Sequence, residues 1–176
     1  LGGAAVDAGD YETARAYLGE ALDYEPAQAL FLEATYLPAA ALQEAGDPNG
    51  ALELFETILG YRDADERIRS IRYAQAIELM NSRDYAAAAE AFEALGDYRE
   101  SAEEALNARY GYAMQLLDNG EYTEAIAAFE ALDGYLSSAN AIQRAQYGLG
   151  PDALAEGDTA AAAEYFRLAG DYEDAP

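Results

Sequence analysis

The chain has 176 residues and a formal net charge of −24, from 34 acids against 10 bases, every base being Arg. Such a balance repels phosphates and anionic lipid surfaces and excludes the basic footprint that nucleic-acid binding needs. Cys and His are both absent, which removes thiol nucleophiles, Cys/His metal sites and imidazole acid–base chemistry. No apolar run approaches the roughly 20 residues that cross a bilayer, so the segment reads as soluble, with no direct membrane binding of its own.

One pattern is written five times at a spacing of 37 residues without insertion. Phe129 has counterparts at Leu18, Phe55, Phe92 and Phe166; Tyr135 at Tyr24, Tyr61, Tyr98 and Tyr172; Ala125 at Ala14, Ala51, Ala88 and Ala162. Self-similarity of this length marks stacked supersecondary units, each burying a face against its neighbour. The whole of residues 1–176 therefore reads as a single array of about five repeats. The absence of an initiator Met, a start at Leu1-Gly2-Gly3 and an end at Ala175-Pro176 suggest a fragment truncated at both ends.

In chain order, Gly9, Gly46, Gly120 and Gly157 share one register, with Arg83 as its exception, and each is followed by an acid: Asp10, Asp47, Asp84, Glu121 or Asp158. A glycine past a helix end and an acid capping the next start predict a helix stop and start. A short amphipathic helix follows, as in Tyr85 to Leu95 with Tyr85, Ala88, Phe92 and Leu95 on one side. A second turn then leads into a longer helix, in the clearest copy from about Glu100 to about Asp118. Its predicted N-caps are Asp63, Glu100 and Ser137, with Pro26 in the same register of the first copy. Pro38 and Pro151 should bend or restart their helices, and Gly148-Leu149-Gly150-Pro151 reads as a break.

Ala113, Gly120, Tyr122, Ala125 and Phe129 match the order and spacing of the tetratricopeptide repeat in one copy, as do Ala39, Gly46, Ala51 and Phe55 in another. The chain resembles a divergent bacterial variety of that repeat, longer by about three residues than the usual unit. The resemblance implies an all-α fold, a right-handed α-solenoid of stacked antiparallel helix pairs. It also implies no catalysis, and a concave groove that binds a partner peptide or protein.

The candidate partner-binding residues are Tyr36, Tyr73, Tyr110 and Tyr147, one per repeat on the longer helices, with Met114 and Leu117 beside them. Tyr offers a rigid contact surface with a hydroxyl handle; packing between helices is the competing role. The turn tyrosines Tyr24, Tyr61, Tyr98, Tyr135 and Tyr172 read as structural. Arg69, Arg72 and Arg109 are the one concentrated positive patch, and ion pairing with Glu66 and its kind explains them. The segment from Ala45 to Gly50 partly matches a calcium loop but carries Ala45 where the first ligand should be an Asp, so it reads as a repeat turn.

No catalytic, cofactor-binding or metal-ligating set stands out: carboxylates abound without a singled-out pair, and a nucleophilic Ser has no His or Lys beside it. The reading is a non-enzymatic protein-interaction scaffold, without cofactors, whose acidic field favours a basic partner. Its alternative is a structural spacer or sensory extracytoplasmic segment of a larger membrane-anchored bacterial protein.

Overall fold

In the computed structural model, residues 1–172 are described; residues 173–176, where the sequence places the approach to a further helix, lie outside them. The described residues are all-α: α1 (Gly2–Asp7), α2 (Tyr11–Gly19), α3 (Glu25–Glu44), α4 (Pro48–Phe55) with a 3-10 turn at Glu56–Ile58, α5 (Ala64–Asn81), α6 (Tyr85–Leu95), α7 (Ser101–Asp118), α8 (Tyr122–Glu130), α9 (Ser138–Glu156) and α10 (Thr159–Ala169). From α2 onward short and long helices alternate, and these short ones begin at Tyr11, Pro48, Tyr85, Tyr122 and Thr159, one constant interval apart. Helices consecutive in sequence pack on each other, as α3 does on α4 and α9 on α10. The fold is a helical repeat of the tetratricopeptide-like solenoid class. None of its helices is long and apolar enough to cross a membrane, among the described residues.

Two compact units divide the chain, Leu1–Ala74 and Gln75–Pro176. In the first, Phe55, Ala51 and Ile58 of the short helix and its 3-10 turn close on Tyr36, Ala39, Ala64, Ile68 and Ile71. In the second, Phe129 and Ala125 close on Ala113, Leu116, Leu117, Ala141 and Ala145. Phe55, Phe92 and Phe129 are completely buried, as are Ala51, Ala88 and Ala125. Burial of each ring stabilises its unit by about 1.5–3 kcal/mol, and the alanines set the helix spacing because nothing larger fits there.

The turn before each short helix follows from its residues. Asp10, Asp47, Asp84 and Asp158 accept from the backbone N–H three residues on, at 3.2, 2.9, 3.3 and 2.9 Å. This meets one of the donors that every helix start leaves unpaired. Glu121 departs from that expectation: it makes no side-chain cap. One methylene longer, it instead accepts from Asn119 Nδ2 at 3.1 Å. Arg83 takes φ +64° at the register filled elsewhere by glycines at positive φ, so the turn geometry outweighs the preference of the side chain.

Three expectations are corrected. Neither Pro38 nor Pro151 restarts its helix, since α3 and α9 run through both, and no break stands at residues 148–151. A proline forfeits one hydrogen bond locally, whereas packing holds the chain on either side. The glycines of that stretch serve close approach instead: a Cβ on Gly148 would lie 2.4 Å from the Tyr122 ring, and one on Gly150 would lie 2.4 Å from the Phe166 ring. Glu100 and Ser137 precede their helices without a side-chain cap. Among the turn tyrosines Tyr24 is 66% exposed, against 7% for Tyr98.

Candidate functional site

The second unit carries two hollows that share Tyr110 and Met114. One, of about 410 Å³, is lined by Arg83, Tyr85, Tyr110, Gly111, Met114, Gln115, Asp118 and Asn119. The other, of about 210 Å³, is lined by Tyr110, Met114, Leu117, Ser137, Asn140, Ala141, Arg144 and Tyr172. Helix α7 supplies the shared wall because Tyr110 and Met114 fall at helical spacing along one side, and Leu117 continues that side into the second hollow. Tyr110 is held there by an edge-on contact with Phe129, ring centres 5.5 Å apart. Gly111 shapes the first hollow: a Cβ on it would stand 2.7 Å from the Tyr85 ring, so the ring lies directly on the helix backbone.

The same register in the first unit is closed. Tyr36 is 8% exposed, edge-on to Phe55 and Tyr61 at 5.7 and 5.9 Å. Its hydroxyl donates to Asp63 at 2.5 Å. Arg67 donates to that carboxylate through Nε at 3.0 Å and to Gln43 Oε1 through Nη1 at 2.8 Å, with its guanidinium 5.6 Å from the Tyr36 ring centre. Arg62 lies 4.8 Å from the same ring and pairs with Glu33 at 2.6 Å. The hydrogen bond from Tyr36, with Arg67 beside it, holds the Asp63 carboxyl below its ordinary pKa. The phenol of Tyr36 is raised, first by that bond and then by burial.

Two repeats on, Gln43, Arg62, Asp63 and Arg67 become Leu117, Leu136, Ser137 and Ala141. Every polar arm that covers Tyr36 is thus shortened or made apolar around Tyr110, and three of the four replacements line the second hollow. An arginine removed from above an aromatic ring leaves both the ring and the space.

The other sequence-singled residues are placed as follows. Tyr147 meets Phe166 and Tyr172 at 5.6 Å each, and Tyr73 is half-buried on α5. The turn tyrosines Tyr61 and Tyr135 donate to Glu33 and Asn107, both at 2.8 Å and both 28 residues back; burial, and then Glu33, raises the phenol of Tyr61. The arginine patch is ion-paired: Arg72 with Glu56 at 2.7 Å, Arg109 with Glu93 at 2.5 Å, Arg69 with Glu66 at 3.5 Å. Asp47, in the calcium-like stretch, serves as the cap of α4.

Sequence reasoning named Tyr110, Met114 and Leu117 but missed Ser137, Ala141 and Gly111. The signal that finds them is a comparison of repeats at fixed register, which shows where a long polar side chain has been exchanged for a short one.

The first hollow mixes Tyr85, Tyr110 and Met114 with Arg83, Gln115, Asp118 and Asn119, and the second is walled mainly by apolar groups. Family models of the tetratricopeptide repeat match residues 5–76 and residues 73–141. No curated protein and no solved structure matches the chain. Repeats of this kind are generally protein–protein interaction modules. With paired helices, aromatic-on-alanine cores and two successive family matches, the chain belongs among the tetratricopeptide-like repeat proteins.

Proposed function

We propose that the chain is a non-enzymatic scaffold that holds a short segment of a partner protein against the second unit, with apolar side chains of that segment seated in the two hollows at Tyr110 and Met114. The observation that carries this reading is the opened register: the Asp63–Arg67 cover of Tyr36 is replaced by Ser137 and Ala141 beside Tyr110. A half-buried aromatic with an adjacent half-buried methionine is the composition of adaptable contact surfaces. Tyr110 and Met114 make the contact over the buried Leu117, while Tyr36 and Tyr147 hold the turns of their own repeats. The formal charge of −24 favours a partner whose flanks are basic, and it makes association faster at low salt.

The test is selection of displayed random peptides on residues 1–176, followed by calorimetry on the enriched sequences. Met114→Glu should weaken the selected peptides at least tenfold with the helical circular dichroism unchanged, and Leu59→Ser, an exposed change in the first unit, should leave them unaltered. Absence of any enriched peptide, or equal loss from both variants, would contradict the proposal and favour a spacer.

A further inference from the structure

Of the ten arginines, nine reach a carboxylate, a backbone carbonyl or an aromatic ring among the described residues. Arg83 is the exception, in a chain that carries 34 acids. It stands in the turn between α5 and α6 at φ +64°, in the register held elsewhere by Gly9, Gly46, Gly120 and Gly157. A side chain is strained at such a φ where glycine is not. A cation is favoured at a helix end, yet the four glycines follow helix ends as well and bring no charge there. What sets Arg83 apart is the space it enters: its side chain lines the first hollow, beside Tyr85, Tyr110 and Met114.

The charge of the other lining residues is shifted the same way. Gln115, on α7, holds the register of Glu78 and Asp152 in the neighbouring repeats, so an acid at this wall has become an amide. The acid that remains, Asp118, is taken by Arg144 at 3.0 Å, and the Asn119 amide donates to Glu121. The hollow therefore holds an unpaired cation and an acid that is already neutralised.

Given the reading of the two hollows as a peptide-binding face, on which this inference rests, we infer that Arg83 sets the specificity of the first hollow. It takes the side-chain carboxylate of an aspartate or glutamate in the bound segment, next to the apolar residue seated on Tyr110 and Met114. The planar guanidinium meets a carboxylate through two parallel hydrogen bonds, and the Gln115 amide adds a donor at the same wall. The long-range field still draws basic flanks; the contact at Arg83 decides which residue enters the hollow.

The probe is a displayed library of random peptides of about ten residues, held between fixed flanks so that no terminal carboxylate is available. It is selected in parallel on residues 1–176 and on the same chain carrying Arg83→Gly, which restores the residue of the other repeats and should keep or raise the thermal midpoint. The expected result is that peptides enriched on the wild-type chain share an Asp or Glu at a fixed spacing from an apolar residue, and that those enriched on Arg83→Gly keep the apolar residue without the acid. Because Arg83 is exposed in the free chain, the gain is moderate. Exchanging the acid of one enriched peptide for its amide should weaken binding at least fivefold on the wild-type chain and less than twofold on Arg83→Gly. Arg72→Ala, which removes the same charge from the first unit, should leave that peptide unaltered. Enriched peptides with no shared acid, or equal losses on the two chains, would overturn the role of Arg83 and leave the peptide-binding reading standing; no enrichment on either chain would overturn both.

Discussion

Tyr36 and Tyr110 occupy one register of one repeated sequence and lead opposite lives. In the first unit Asp63, Arg67 and Arg62 close over the ring; in the second, Ser137, Ala141 and Leu136 stand in their places, and Tyr110 forms the wall of two hollows. The scaffold beneath is common to both, with Phe55 and Phe129 each completely buried and edge-on to the tyrosine above. In such an array the core repeats because every unit must bury the same face. The proposed contact lies where the repeat is broken, in residues whose exchange leaves the core intact.

The largest expected effect tests the common scaffold. Phe55→Ala and Phe129→Ala should each cost about 3–5 kcal/mol in urea unfolding, and near equality would confirm that the two sites differ above the core and not within it. Next, Ala88→Leu or Ala125→Leu should cost about 1–3 kcal/mol, because both alanines are fully buried between paired helices; an unchanged thermal midpoint would break the pairing scheme.

Acid should separate the two regions. Asp63 has a lowered folded-state pKa, so its contribution is complete above its unfolded value of about 4 and is lost as pH falls through that value toward the folded one. Monitored by amide exchange, the first unit should lose protection around Tyr36 over that range, and Asp63→Asn should remove this part of the pH dependence. At the other end of the scale, Tyr36 is raised, so its contribution is present below about pH 10 and is lost as pH rises from there. The smallest effect concerns the surface arginines: Arg72→Ala and Arg109→Ala break pairs at half-exposed positions and should each change stability by about 0–1 kcal/mol.

Much of this was legible in the sequence. The aspartate caps and the limits of α6 follow from local chemistry that each repeat restates, and the left-handed turn register was readable even where Arg83 replaces glycine. The restart at Pro38 and Pro151 and the break at residues 148–151 were misread because a local rule was applied to helices held by non-local packing: Gly148 and Gly150 accept aromatic rings and do not break α9. Candidate site residues were readable only in part. Tyr110, Met114 and Leu117 announce themselves by residue type, whereas Ser137 and Ala141 are ordinary residues whose meaning lies in what they lack relative to Asp63 and Arg67.

The most direct measurement moves the cover from one unit to the other. A peptide selected on the wild-type chain is titrated into the double variant Ser137→Asp, Ala141→Arg, with unfolding followed in parallel to show that the fold is kept. The account predicts that the introduced arginine lies over Tyr110 as Arg67 lies over Tyr36 and that peptide affinity falls at least tenfold. Undiminished binding to a folded double variant would contradict it.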